Sequence, residues 1–286
     1  MGRGKHDSTL IMQVYIYDIA EERWPITVRG IAYQLFVRGA IESMAKKNVA
    51  KVSRIVTQMR EEGSLPWEWI ADETRRKEQV PSWQDPQKYL VSVLAQYRKS
   101  FWDHQPFHVE VWSEKSTVAG VLAPVLTDYA IAFRVQHGFG SATSLHDAAG
   151  ESAEHVSRYR TQVLYVGDLD PSGRYMSEVD IPGRVERYGG YIDVTRVALS
   201  ESHCHDFNLP YFQVESKASD PRYRWWCEQG YGPRCWELDA LDPRVLRSEV
   251  EEAILEYVDP EAWERCKIAE QAEHASMAAF FKRYVT

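Results

Sequence analysis

Hydrophobic positions in the first seventy residues recur mostly at helical spacing. Segment 9–22 is apolar enough for a helix, and Thr27 can cap a second helix over 28–37. A third helix is predicted over 48–62, with apolar positions on one stripe and basic residues on its other faces. Segment 64–70 then reads as a turn and a short strand. This order resembles a winged-helix module with a basic recognition helix, and a small helical subdomain with a solvated basic face is the alternative.

After residue 106 the pattern changes to strands that alternate with helices. Strands are predicted over 107–112, 132–136, 161–166 and 192–199, with helices over 117–129, 141–149 and 174–188. Such alternation indicates a mostly parallel sheet covered by helices. A break in the last of these helices is expected at Pro182-Gly183, and the chain ends in a helical stretch from about 243 to 284.

The patterns divide the chain into three parts and give an α/β fold class. Residues 1–75 form a mostly helical, winged-helix domain, and residues 76–105 are a connector that is partly helical over 88–100. Residues 106–286 form a Rossmann-like parallel sheet with a helical C-terminal region. The length of 286 residues agrees with two domains.

Charge is unevenly spread along the chain. The net charge is −8, with +3 over residues 1–105 and −11 over residues 106–286. This balance argues against a protein that coats nucleic acid over its whole surface, but it allows a local basic groove. We expect the first part to contact a polyanion and the second to hold a metal or substrate.

Two further features bear on location and redox state. No segment approaches the ~20 apolar residues that span a bilayer, and the polar residues 1–8 do not resemble a secretory signal, so we expect a cytoplasmic protein without membrane contact. Reduced thiols are expected, because the cysteines form no Cys-x-x-Cys pair and their spacing from His203-Cys204-His205 fits no structural zinc site. The four cysteines are Cys204, Cys227, Cys235 and Cys266.

Three carboxylates follow the ends of two predicted strands. Glu114 follows strand 107–112, and Asp168 and Asp170 follow strand 161–166. Residues just past the carboxyl ends of parallel strands line a common crevice, so we expect these groups to meet. Close carboxylates repel unless a cation neutralises them, and oxygen donors favour Mg²⁺ or Mn²⁺ over zinc. The pattern therefore predicts a magnesium or manganese site, although an Asp-x-Asp pair alone is more typical of a solvated turn.

These motifs resemble a Toprim domain. The matching segments are Glu114-Lys115 and Asp168-Leu169-Asp170-Pro171-Ser172-Gly173, in the variant found in the DNA-cleaving subunit of topoisomerase VI and the related meiotic break-making transesterase. Further segments follow in the order of that family. They are Gly138-Phe139-Gly140-Ser141, Lys217-x-x-Asp220-x-Arg222 and Trp236-Glu237-Leu238-Asp239-Ala240-Leu241.

The resemblance extends to the N-terminal part. In that family a winged-helix domain carries a catalytic tyrosine in an Arg-x-x-x-Tyr helix, which Arg29 and Tyr33 match. Gly30 and Ala32 depart from the acidic residue and second tyrosine that are common there. A phenol has a pKa near 10, so a nucleophilic tyrosine needs help, and an arginine one turn away shares its helix face. A core tyrosine with a surface arginine is the alternative.

The resemblance implies DNA double-strand cleavage that depends on Mg²⁺ or Mn²⁺ and forms a 5′-phosphotyrosyl link. Tyr33, Arg29, Glu114 and Lys115 would be catalytic, the metal would be held by Glu114, Asp168 and Asp170, and DNA would be bound by Lys46, Lys47, Lys51 and Arg54. The family works as a homodimer together with a separate ATPase, and this sequence has no ATP-binding fingerprint, so strand passage by this chain alone is not expected. The alternatives are a Toprim nuclease that uses water and a DNA-binding protein that needs a partner for activity.

Overall fold

The N-terminal part is built from three helices around one apolar core. The computed structural model describes residues 3–72, 80–136 and 142–285. The helices are α1 (Arg3–Arg23), α2 (Val28–Val37) and α3 (Lys46–Glu61). Thr27 caps α2 as predicted, because its side chain accepts a hydrogen bond of 2.8 Å from the Gly30 amide. The core side chains include Met12, Ile16, Ile19, Ile31, Leu35, Val52, Ile55, Val56 and Met59.

The winged-helix prediction is not confirmed by this part of the structure. The predicted strand at 64–70 is wrong, since Trp67–Trp69 forms a 3₁₀ turn and Ile70 alone makes a β-bridge, to Ile26. The turn is held against α3 by Arg60. Its guanidinium lies 4.2 Å from the Trp67 ring centre and donates a hydrogen bond of 3.3 Å to the Trp67 carbonyl.

The connector is fixed to the C-terminal helix Pro260–Val285. Helix α4 (Pro86–Gln96) is capped by Asp85, whose carboxylate accepts a hydrogen bond of 2.7 Å from the Lys88 amide. Beyond α4, the ammonium group of Lys99 lies 2.8 Å from Glu273 of the C-terminal helix. The described part of the connector, residues 80–105, therefore packs on the second part of the chain through α4 and Lys99.

The second part is a mixed α/β unit around a four-stranded parallel sheet, as predicted. The strands are β1 (Phe107–Ser113), β2 (Ala132–Val135), β3 (Arg160–Val166) and β4 (Ile192–Ala198), in the order β2-β1-β3-β4. The helices between them are α5 (Thr117–Asp128), α6 (Ala142–His155), α7 (Pro171–Tyr175) and α8 (Ile181–Arg187). β1 and β3 occupy the centre and pair over their whole lengths, so their carboxyl ends lie side by side. This arrangement is consistent with a Rossmann-like core.

The irregularity after β3 differs from the prediction. The expected break at Pro182-Gly183 is wrong, because the helix is interrupted one turn earlier by a π-helical segment, Met176–Asp180, and Pro182 lies in the first turn of α8. Proline has no N–H to donate to the carbonyl four residues before it, so the regular hydrogen-bond ladder is lost upstream of the proline.

The remaining elements follow β4 in the chain. They are α9 (Glu201–Asp206), β5 (Phe212–Gln213), α10 (Tyr223–Glu228), β6 (Arg234–Cys235), α11 (Pro243–Leu255) and α12 (Pro260–Val285). The helical C-terminal region is as predicted, whereas α9, α10 and the β5–β6 pair have no periodic signal in the sequence. All four cysteines are free thiols. None of the helices in the described ranges is long and apolar enough to cross a membrane.

Candidate acidic site

The three predicted carboxylates lie together at the carboxyl ends of β1 and β3. Ser113 pairs with Val166 at the end of the two strands, so Glu114 and the turn that holds Asp168 and Asp170 leave the sheet side by side. The Glu114 carboxylate lies within the electrostatic range of both Asp168 and Asp170. The expected meeting of these groups is thus what the parallel pairing produces. The segment Gly138-Phe139-Gly140-Ser141 lies outside the described residues.

The turn after β3 is too tight for side chains at its glycines. A Cβ atom on Gly173 would lie 2.4 Å from the Asp168 carbonyl oxygen, and one on Gly167 would lie 2.7 Å from the Tyr165 ring. Asp170 closes the turn, because its Oδ1 accepts a hydrogen bond of 2.8 Å from the Gly173 amide at the start of α7. These contacts explain the glycines that flank the two aspartates.

Two lysines face the two aspartates. Nζ of Lys115 lies 2.6 Å from Oδ1 of Asp168 and 3.0 Å from Oδ2 of Asp239, so it joins the acidic turn to the segment before α11. Nζ of Lys217 lies 3.0 Å from Oδ2 of Asp170. Burial works against the charge on Lys115, but the two carboxylates outweigh it and raise its pKa, so this group stays an ammonium.

Glu114 makes no ion pair with a described residue. Burial, and then the negative charges of Asp168 and Asp170, raise the pKa of Glu114 to about 7. Burial also raises the pKa of Asp168, although Lys115 and the Leu238 amide, which donates a hydrogen bond of 2.7 Å, oppose this shift. The site therefore has a carboxylate that is costly to ionise, and an added cation would offset that cost.

The donor set fits a hard divalent cation in its chemistry. Glu114, Asp168 and Asp170 offer carboxylate oxygens, the donors that Mg²⁺ and Mn²⁺ prefer. Among the residues that the structure describes, no three Asp, Glu, His or Cys side chains are placed to hold one ion. Asp168 and Asp170 instead engage Lys115, Lys217 and backbone amides. An ion would therefore have to displace at least one ammonium group from the aspartates.

The tyrosine motif of α2 reaches the same region in the same chain. Arg29 donates hydrogen bonds from Nε and Nη2 to the Glu237 carboxylate, and its guanidinium lies 6.0 Å from the Tyr33 ring centre. The Tyr33 hydroxyl also lies in the electrostatic field of the Glu237 carboxylate. Tyr33 is 5% exposed. Burial and the negative charge of Glu237 raise its pKa above the usual value, while Arg29 lowers it in part.

A cleft of about 520 Å³ separates the start of α2 from the acidic turn. Charged groups of both signs line it, among them Arg29, Lys115, Asp168, Glu237 and Asp239. Its two walls are joined by a hydrogen bond of 2.6 Å from the Thr27 hydroxyl to Asp239. Of the predicted site residues, Arg29, Lys115 and Asp168 therefore line one cleft of one chain, and Tyr33 is buried next to Arg29.

The predicted DNA-binding residues stand on a separate surface. All four are exposed on α3, while the opposite side of that helix packs on α1 and α2. None of the four forms an ion pair with another described residue. These residues are Lys46, Lys47, Lys51 and Arg54.

Sequence reasoning missed the roles of several residues at the site. Glu237 and Asp239 belong to a recognisable motif, but the sequence does not reveal the partners of their carboxylates. Arg196 belongs to none of the predicted motifs, although a lone arginine in the otherwise mostly apolar segment 192–199 indicates a specific partner. Its hydrogen bonds all run to the region around the acidic turn.

Comparison of the chain with known protein families, with curated proteins and with solved structures gives no match in any of the three. A function for this protein is therefore inferred from its own residues.

Proposed function

We propose that the protein is a DNA-cleaving enzyme that depends on Mg²⁺ or Mn²⁺ and is similar to the DNA-cleaving subunit of topoisomerase VI, with a winged-helix domain and a Toprim domain. The observation that carries the proposal is the shared cleft. Arg29 and Glu237, which lie next to the buried Tyr33, line this cleft together with Lys115 and Asp168. In this proposal a nucleophile, a proton acceptor and cations for a phosphate come together at one site.

In this proposal Tyr33 is the nucleophile for a DNA phosphate. Its hydroxyl proton passes to the Glu237 carboxylate as the phenolic oxygen attacks phosphorus. The bond from phosphorus to the 3′-oxygen breaks, and the leaving oxygen takes a proton from solvent. The product is a 5′-phosphotyrosyl link, which keeps the bond energy, so that attack by the 3′-hydroxyl reverses the reaction.

The cations of the cleft supply charge stabilisation. Arg29 is preorganised one turn from Tyr33, and its planar fork suits two oxygens of a phosphate once Glu237 releases it. Lys115 remains charged and lies on the opposite wall. Mg²⁺ or Mn²⁺ held by Glu114, Asp168 and Asp170 would supply further stabilisation of charge on the phosphate oxygens.

A hydrolytic nuclease is the second candidate, and the burial of Tyr33 favours it. The side chain is 5% exposed, and its raised pKa makes the phenolate harder to form. If Tyr33 stays in the core, water would attack the phosphate at the acidic site and leave a free 5′-phosphate. The two candidates differ in whether protein stays attached to DNA.

A third candidate is a DNA-binding protein that is silent without a partner. The pairing of Asp168 with Lys115 and of Asp170 with Lys217 favours it, since both aspartates are already neutralised. In all three cases the substrate is double-stranded DNA, bound through the exposed basic face of α3. By analogy with the resembled family, the partners that we propose are a second copy of this chain, in a homodimer, and a separate ATPase.

Plasmid cleavage with Mg²⁺ or Mn²⁺ tests the proposal. Wild type, Tyr33→Phe, Asp168→Ala and the matched control Tyr191→Phe are quenched with denaturant, and each sample is analysed with and without protease. Tyr191 is a good control because it is 64% exposed and lies away from the cleft, at the start of β4. Transesterification predicts that wild type and the control release broken DNA only after protease, and that Tyr33→Phe and Asp168→Ala are inactive.

Other outcomes identify the alternatives. Free 5′-phosphates, with Tyr33→Phe as active as wild type, would identify the hydrolytic nuclease. Salt-sensitive DNA binding without cleavage over a range of metals would identify a protein that needs a partner.

A further inference from the structure

Arg196 of β4 uses every one of its N–H groups on the region around the acidic turn. Nε donates to the Leu199 carbonyl at 2.8 Å. Nη1 donates to the Gly173 carbonyl at 3.1 Å and to the Ser177 hydroxyl at 3.0 Å. Nη2 donates to the Gly167 carbonyl at 2.9 Å and also to the Asp168 carbonyl. The five donors of a guanidinium thus meet five acceptors.

These acceptors place Arg196 at the base of the turn. Gly167 and Gly173 bound the turn, and Asp168 lies within it. The Arg196 guanidinium therefore holds both ends of the turn and also the backbone of Asp168. β4 neighbours β3 in the sheet, so the arginine is presented by a rigid strand and not by a loop.

The charge of Arg196 is not matched by an ion pair within the described part of the chain. Its hydrogen-bond acceptors are carbonyls and one hydroxyl, and burial lowers its pKa. Burying a cation without a carboxylate partner costs folding free energy. The hydrogen bonds by which Arg196 fixes the shape of the turn offset this cost.

We propose that Arg196 is a positioning residue that fixes the backbone of the turn from which Asp168 and Asp170 would bind a divalent cation. The proposal rests on the metal site of the proposed function. The hydrogen bonds of Arg196 reach the backbone that carries the two carboxylates, and the arginine acts through that backbone. Groups that orient metal ligands in this way typically change metal affinity about 10- to 100-fold when they are replaced.

Arg134 offers a matched control for a merely structural arginine. It also lies on a strand of the sheet, β2, and its guanidinium is 5.4 Å from the Trp112 ring centre, as that of Arg196 is from Tyr165. Its partners are Glu110 and Glu151. Replacing either arginine by lysine removes a packed guanidinium and its hydrogen bonds from the sheet, but of the two only Arg196 bonds the acidic turn.

The test measures two properties of the full chain for wild type, Arg196→Lys and Arg134→Lys. Mn²⁺ affinity is followed by electron paramagnetic resonance, with Asp168→Asn as the reference for loss of the site. Amide hydrogen exchange is followed at Gly173, whose N–H is bonded to Asp170. Lysine keeps the charge but cannot reach both ends of the turn. We expect Arg196→Lys to weaken Mn²⁺ binding about 10- to 100-fold, with exchange at Gly173 about tenfold faster, and Arg134→Lys to change neither.

Each other outcome is decisive. Unchanged Mn²⁺ affinity in Arg196→Lys, with binding lost in Asp168→Asn, would overturn the positioning role and leave the proposed metal site intact. If wild type binds Mn²⁺ no better than Asp168→Asn, the proposed function loses its metal site. Exchange at Gly173 then decides whether Arg196 holds the turn, and unchanged exchange overturns that role too.

Discussion

Nζ of Lys115 lies 2.6 Å from Oδ1 of Asp168, and the same ammonium group reaches Asp239 at 3.0 Å. One lysine thus neutralises a candidate metal ligand and ties the acidic turn to the segment that carries Glu237. The three side chains are 11–23% exposed, so solvent screens this contact only in part. Its removal should therefore be visible in stability as well as in activity.

We expect Lys115→Met to lower the free energy of unfolding by about 2–4 kcal/mol at pH 7 without divalent cations, because two largely buried carboxylates lose their cation. Urea unfolding with and without Mg²⁺ measures this effect. Mg²⁺ should stabilise the variant more than wild type, since the ion then meets no competing ammonium. Lys267→Met is the control, because Lys267 is 56% exposed and its ion pair with Glu264, at 3.5 Å, lies at the surface and contributes little to stability. Equal Mg²⁺ responses of Lys115→Met and wild type would contradict a metal site at Asp168.

The tight turn predicts opposite effects at two glycines. Gly173→Ala should lower the free energy of unfolding by about 1–3 kcal/mol, because its Cβ would lie 2.4 Å from the Asp168 carbonyl oxygen. A Cβ atom on Gly183, in α8, would have no other atom within 4 Å. Gly183→Ala should therefore raise the free energy of unfolding by about 0.5–1 kcal/mol, because alanine has the better helix propensity. Urea unfolding of both variants measures the pair, and a stabilising Gly173→Ala would show that the turn relaxes freely.

Much of the site was predictable because it depends on local patterns and on one rule of topology. The apolar runs in the sequence show where β1 and β3 end. Parallel pairing of these two strands then places Glu114 beside Asp168. The partners were not predictable, because Lys217 and Asp239 come from a stretch without periodicity. Lys217 pairs with Asp170, and Asp239 pairs with Lys115, each across tens of residues in sequence. The short strand predicted within 64–70 is wrong, because its aromatic residues favour a strand but form a 3₁₀ turn at Trp67–Trp69 that contacts Arg60.

Glu110 predicts a pH dependence of stability away from the site. It is buried, which opposes its charge, but His108, whose Nε2 lies 3.6 Å away, and hydrogen bonds from Arg134 and Trp112 outweigh burial and lower its pKa to about 2 from 4.5. A lowered pKa contributes stability above pH 4.5, and this contribution is lost as the pH falls through 4.5 toward 2.

We therefore expect Glu110→Gln to be less stable than wild type by about 2–3 kcal/mol at pH 7, and the difference to shrink steadily between pH 4.5 and pH 2. Urea unfolding over this range measures it. Asp147→Asn, at an exposed position of α6, serves as the control and should show no such convergence. A difference that stays constant down to pH 2 would mean that packing, and not charge, is lost in Glu110→Gln.

The basic face of α3 predicts how DNA binding responds to salt. Lys47, Lys51 and Arg54 are exposed and unpaired with described acidic side chains, so they are free to neutralise phosphates. Each phosphate contact contributes about 0.9 to the slope of log affinity against log salt concentration. Replacing all three residues by alanine should therefore lower the slope by about 2–3 and weaken binding to all sequences alike.

Removing three positive charges elsewhere on the surface distinguishes phosphate contacts of α3 from the effect of the protein's net charge on DNA binding. Arg158, Arg160 and Arg187 are also exposed, but they lie near the amino ends of β3 and β4, opposite the acidic turn. Their replacement by alanine changes the net charge equally. Anisotropy titrations of a labelled duplex at several salt concentrations should show a reduced slope for the α3 variant alone. Equal slopes for the two triple variants would mean that DNA senses only net charge, and α3 would then have no direct role in binding.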